Sequence, residues 1–226
     1  MRFNKSLLVL GLLAVGAFSA VYAGDISRST TRTTPLHPIV NPATGLDVLY
    51  DQCTDTTEFS ANAITSQNFE ASFDAFDSEG ADDFVVPTGE TWTINEVIAL
   101  GVYSLGGGPA ASVNVTIWSD VGTLPGAVVY SAPSVVPTTD VGGSFVLDLS
   151  TPAVLTAGTY WLEVQVNMDF TPFLQWFWAQ DLVLRNSGCA WRNIGGGFGV
   201  GCTSWERLST CIPGFDPDFL FCLLGS

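Results

Sequence analysis

Apolar and polar positions alternate with a period of two along most of the chain. Val113, Val115 and Ile117 interleave with Asn114, Thr116 and Trp118. Leu162, Val164, Val166 and Met168 interleave with Trp161, Glu163, Gln165 and Asn167. Successive side chains of a strand point to opposite faces, so this pattern predicts strands with one face on a core. Phe145, Val146, Leu147 and Leu149 surround Asp148 and predict another strand. Further strand segments are expected at 83–86, 92–103, 127–131, 175–179 and 219–224. Turn-forming clusters punctuate them: Pro87-Thr88-Gly89, Gly106-Gly107-Gly108-Pro109, Leu124-Pro125-Gly126, Gly142-Gly143 and Ala157-Gly158. A helical repeat is missing after the first twenty-odd residues. Many short strands with regular turns predict an all-β fold, an antiparallel β-sandwich of jelly-roll-like kind.

The N-terminus follows another pattern. Arg2 and Lys5 precede an apolar run over 7–20, and Val21-Tyr22-Ala23 leads to Gly24. Residues 1–23 read as a secretory signal peptide, shorter in its apolar run than a membrane-spanning helix. Residues 24–46 are rich in Thr, Ser and Pro and read as a linker. Residues 47–226 form the expected single sandwich domain. The expected compartment is extracellular or periplasmic, with no membrane insertion after cleavage.

Charge narrows the function. The chain has 226 residues, 22 Asp and Glu, 7 Lys and Arg and one His, a formal charge of −15. From residue 47 onward its only cations are Arg185, Arg192 and Arg207. Such a domain lacks the basic footprint that nucleic acid requires. The single His, His37, lies in the linker, so a histidine-based catalytic device within the domain is excluded and no enzyme is expected. The five Cys at 53, 189, 202, 211 and 222 suit an oxidising compartment, and an odd count leaves one thiol over. Cys202 and Cys211 are placed for a local bridge around Trp205; other pairings stay open.

Several segments occur in a familiar order. Ala81-Asp82-Asp83-Phe84-Val85-Val86-Pro87 is followed by Trp92-Thr93-Ile94, Gly101-Val102-Tyr103, a 120–126 segment ending Leu-Pro-Gly, and a 155–162 segment containing Ala-Gly-Thr-Tyr-Trp-Leu. With the closing 218–225 segment, the chain resembles the choice-of-anchor and PEP-CTERM-associated secreted domains of bacteria. The resemblance implies an extracellular β-sandwich and supplies no catalytic residues. A Pro-Glu-Pro sorting signal is absent up to Ser226, so free secretion or incorporation in an assembly is the expectation.

Two constellations carry candidate chemistry. Asp74, Asp77, Glu79, Asp82 and Asp83 crowd together, and Asp216 and Asp218 precede the final strand. Dense hard oxygens suit a structural Ca²⁺ as cofactor, against the plainer reading of a solvated acidic loop. Trp176 and Trp178 share a strand face, Trp161 lies beside Glu163 and Gln165, and Trp191 precedes Arg192. Indole faces stack on sugar rings while amide, carboxylate and guanidinium groups bond hydroxyls, against the plainer reading of core tryptophans. The expected function is therefore a non-catalytic structural or adhesive module. The alternative is a carbohydrate-binding module using exposed tryptophans, and a third reading is a two-carboxylate glycosidase with Glu163 as its suspect. A glycan or another extracellular protein is the expected partner. The glycine-rich segment 195–201 lacks the helix and lysine of a phosphate loop and reads as a mobile loop tied at Cys202.

Overall fold

The computed structural model describes residues 26–32, 36 and 45–226. The expected signal peptide and His37 lie outside the described residues. Among the described residues, fifteen strands form an all-β sandwich of two sheets, antiparallel except where Gln67–Asn68 pairs with Val166 and Asn167. They are β1 (Ser29–Thr31), β2 (Asp47–Asp51), β3 (Phe59–Thr65), β4 (Gln67–Asn68), β5 (Glu79–Ala99), β6 (Gly101–Tyr103), β7 (Ser112–Val121) and β8 (Leu124–Val135). There follow β9 (Thr139–Val141), β10 (Ser144–Asn167), β11 (Trp176–Asp181), β12 (Ala190–Arg192), β13 (Glu206–Arg207), β14 (Asp218–Phe219) and β15 (Phe221–Gly225). Among the described residues, helix is confined to single turns, and no helix is long and apolar enough to cross a membrane.

The smaller sheet runs β1-β3-β11-β14, with β6 also on β11. β1 therefore turns part of the expected linker into a paired strand, Ser29 opposite Ile64. The larger sheet runs β13-β12-β5-β10-β7-β8, with β15 and β2 beyond β5 and with β4 and β9 on β10. Its spine is the long β5–β10 pair. Thr156 pairs with Thr91, yet Gly158 pairs with Val86, so Pro87–Glu90 is an insertion that bends the ribbon. The expected 145–149 and 162–168 strands are thus two halves of one strand.

The alternating apolar positions meet between the sheets. Val113, Val115 and Ile117 of β7, Leu162, Val164 and Val166 of β10, and Phe84, Ile94 and Val97 of β5 pack with Ile64, Trp176, Trp178 and Phe219 of the smaller sheet. Cys53–Cys222 ties β2 to β15, and Cys202–Cys211 closes the expected local loop. Cys189 is the odd thiol and is buried. Burial pushes it well above the ordinary thiol range, which makes it inert.

Candidate functional site

The tryptophans expected to bind ligand are inside the protein. Trp161, Trp176, Trp178 and Trp191 all have 0% exposure. Trp176 and Trp178 do share a face of β11, and that face is the core. Trp178 stacks on Phe219 at 4.5 Å between ring centroids, and its Nε1 donates to Leu220 O. Trp176 Nε1 donates to Gly143 O, and Trp191 Nε1 to Thr65 O. Trp161 Nε1 donates to Asp120 Oδ1, so each of the four buried indole N–H groups has found an acceptor. A ligand has no access to these rings.

Trp161 and its neighbours form a second buried layer on the outer face of the larger sheet. Trp161 sits opposite Trp118, and Glu163 sits between Thr116 and Ala81. The period-two pattern marks this face as polar. The chain from β12 to β13 folds back over it. Arg192 lies over the rings of Trp118 and Trp205, and Arg207 over Trp161. Arg192 pairs with Glu79, and Trp118 Nε1 donates to Glu163 Oε2 at 2.6 Å. Glu163 and Gln165 are buried, and Gln165 Nε2 donates to Ser78 O. Burial, reinforced by the neighbouring charge of Glu79, pushes the Glu163 carboxyl up to about 8. Glu163 is 3% exposed and lies against Trp118, so it is closed off from solvent. Trp161, Glu163 and Arg192 hold the flap on the sheet, Gln165 bonds Ser78 O and Asn114, and Trp191 packs in the core between the sheets.

The glycine-rich segment also belongs to this cover. A Cβ on Gly195 would stand 2.5 Å from Ala75 Cα, and one on Gly197 would stand 2.6 Å from Ala75 O. Only glycine permits that approach, so the expected mobile loop is instead packed on the 71–76 turn.

The seven acids expected to bind calcium do not meet in one place. Asp74 is exposed on the 3₁₀ turn 71–76, and Asp77 Oδ1 accepts from Phe69 N. Glu79 pairs with Arg192. Asp216 Oδ2 accepts from Ser60 Oγ and Asn62 Nδ2. Asp82, Asp83 and Asp218 are all fully buried near the start of β14. Among the described residues, one trio of ligand atoms lies within 4.8 Å of one another, that of Asp51, Cys53 and Cys222. Its two sulfurs are joined in a disulfide and are not thiolate ligands.

The accessible concave surface lies elsewhere. A cleft of about 400 Å³ opens where β4, β7 and β10 end. Its walls are Phe69, Met168, Phe173, Pro109, Ala110 and Ala111, and its polar groups are Asn68, Asn167 and Asp169. Phe173 is 40% exposed, and Asn68 and Asp169 are exposed at the rim. An amide ladder stiffens the floor. Asn167 Oδ1 accepts from Asn68 Nδ2 at 2.8 Å and from Asn114 Nδ2, while its Nδ2 donates to Ser112 Oγ and Asn114 Oδ1. Across the same 104–111 loop lies a second cleft of about 350 Å³, lined by Thr30, Thr31, Arg32, Tyr103 and Leu105. Leu105 stands at its rim, 96% exposed, with a φ of 48°. Sequence reading missed this end of the molecule because its residues come from four separated segments and carry no motif. Its one local signal is the proline and glycine content of the 106–109 turn.

No family model matches the chain, and no curated protein does. Among solved structures, the chain resembles the cysteine protease and lectin-like domains of Cwp84, a surface layer associated protein of Clostridium difficile. The TM-score is 0.52 at 10% identity, over 83% of this chain and 37% of that one. At that identity the likeness concerns the fold alone, and the chain spans well under half of its neighbour's length.

Proposed function

We propose that this chain is a secreted, non-catalytic binding module that takes a saccharide in the cleft beside Phe173. The observation that carries the reading is that cleft: an exposed aromatic wall, a preset amide floor and rim groups of hydrogen-bonding character in one concavity of about 400 Å³. A sugar presents C–H faces that pack on aromatic rings and hydroxyls that need fixed donors and acceptors. Asn167 spends all four of its hydrogen bonds within the protein and so fixes the floor's shape, while the exposed Asn68 and Asp169 at the rim are the groups that meet hydroxyls. Two disulfides and the resemblance to secreted sandwich domains support an extracellular site of action. The structural neighbour includes a lectin-like domain of a surface-layer-associated protein, which agrees with a surface-binding role.

A glycan array probed with the purified domain tests the reading. The expected result is binding to a restricted set of glycans, lost in Phe173→Ala and Asp169→Ala at unchanged melting temperature. A folded domain that binds no glycan would count against it. A second reading, adhesion to a protein surface, rests on Leu105 and Phe173 together, apolar side chains 96% and 40% exposed at the two neighbouring clefts. Leu105→Asp would then abolish capture of the partner and leave glycan binding intact.

A further inference from the structure

Asp82, Asp83 and Asp218 are carboxylates with 0% exposure, and among the described residues none of them forms an ion pair. Burying a charge without compensation is costly, so each must be accounted for separately. Asp82 is satisfied. Its Oδ1 accepts from Asp83 N, and its Oδ2 from Gln52 Nε2 and Phe219 N. The other two are half satisfied, and both grip the same turn. Asp218 Oδ2 accepts from Arg185 N, and Asp83 Oδ1 accepts from Ser187 N. This leaves Asp218 Oδ1 and Asp83 Oδ2 buried with no hydrogen-bond partner.

The two cations nearby are engaged elsewhere. Arg185 pairs with Glu58 and Asp181, and Arg207 Nη1 donates to Gly188 O. The turn supplies an N–H group to one oxygen of each carboxylate and leaves the other oxygen of each unpaired. Gly188 has a φ of 73°, and its missing Cβ would stand 3.1 Å from Leu184 Cδ1, 3.2 Å from Pro217 O and 3.7 Å from Asp218 Oδ1. The orphaned Asp218 Oδ1 thus lies beside a residue without a side chain, while Pro217 O already accepts from Cys189 N.

We propose that Asp83 and Asp218 hold one calcium ion beneath the 185–188 turn. Calcium fits this setting because it accepts carboxylate, carbonyl and water oxygens in irregular number and geometry, where magnesium demands a near-ideal octahedron. The site uses two carboxylates rather than the seven acids expected from sequence, because the oxygens of Asp82 are already committed and the rest lie elsewhere. Bound calcium would fix the loop between β11 and β12 onto β14.

Calorimetric titration of calcium chloride into chelator-treated full-length domain tests this, with thermal melting in parallel. The expected result is one ion per chain and a melting temperature raised by about 5–10 °C at a hundredfold excess over Kd. Magnesium is expected to bind more weakly. Asp83→Asn and Asp218→Asn should abolish the response, whereas Asp47→Asn, an exposed change on β2, should keep it. Absence of calcium heat and of any melting shift in the wild-type domain overturns the proposal, even where the Asn variants fail to fold. A calcium response of full size in folded Asp83→Asn and Asp218→Asn overturns it equally, by placing the ion elsewhere.

Discussion

Single residues decide what the tryptophans are for. Trp178 is fully buried, stacked on Phe219 and bonded to Leu220 O, so its truncation removes packing rather than a ligand contact. Trp178→Ala is expected to cost about 3–5 kcal/mol in urea denaturation, the range for a large buried aromatic. A loss of glycan binding with unchanged stability would contradict the placement of Trp178 in the core. The sequence shows correctly that Trp176 and Trp178 share a face. It does not show which side of the sheet that face is on, because period two gives alternation and not direction. Phe173 illustrates the opposite case. Its position at the mouth of a cleft depends on Phe69 and Pro109, which are distant in the chain, and nothing local announces it.

At the scale of elements, β7 and the two ends of β10 were legible in the sequence, whereas the 150–161 stretch, read as holding a turn at Ala157-Gly158, is the middle of β10. Val113, Val115, Ile117, Leu162, Val164 and Val166 all lie in the core as their alternation requires. The opposite face of β10 was not legible. Trp161, Glu163 and Gln165 look solvent-facing in the pattern, and they are covered by a flap from residues 190–211 that pairs with β5 through Ala190, Trp191 and Arg192. A fold-back of that kind depends on long-range pairing that periodicity does not encode. The flap carries a pH dependence. Burial and then Glu79 raise the folded-state pKa of Glu163 to about 8, above the ordinary glutamate value. The folded protein therefore holds this proton more tightly than the unfolded chain. The associated stability is complete below about pH 4.5 and is lost as pH rises towards 8. Glu96, raised to about 7 by burial and by Asp148, acts in the same direction. The denaturation midpoint is expected to fall between mildly acidic and mildly alkaline pH, and Glu163→Gln should flatten that slope. A midpoint that rises over this range in the wild-type domain would contradict the assignment.

For the whole molecule, the architecture is a two-sheet sandwich with two clefts, of about 400 and 350 Å³, at one loop end. The fold class and the Cys202–Cys211 bridge could be read from the sequence, because both depend on short spacings. The Cys53–Cys222 bridge could not, since it joins residues 169 apart. In the chain-entropy account that longer loop contributes about 5 kcal/mol, against about 3 kcal/mol for the local one. It anchors the last strand of the domain to its second, and so holds the β5–β15–β2 edge of the sheet that backs the core. The loop end is built on this frame by the 104–111 and 169–174 segments. The most direct measurement of the account is hydrogen exchange read by mass spectrometry, with and without the strongest glycan found on the array. Added protection is predicted at 109–111 and 167–173, with no change at 176–178 or 190–192. Protection centred on the tryptophan segments, or an array without any bound glycan, would contradict the central claim that this sandwich binds saccharide at the Phe173 cleft.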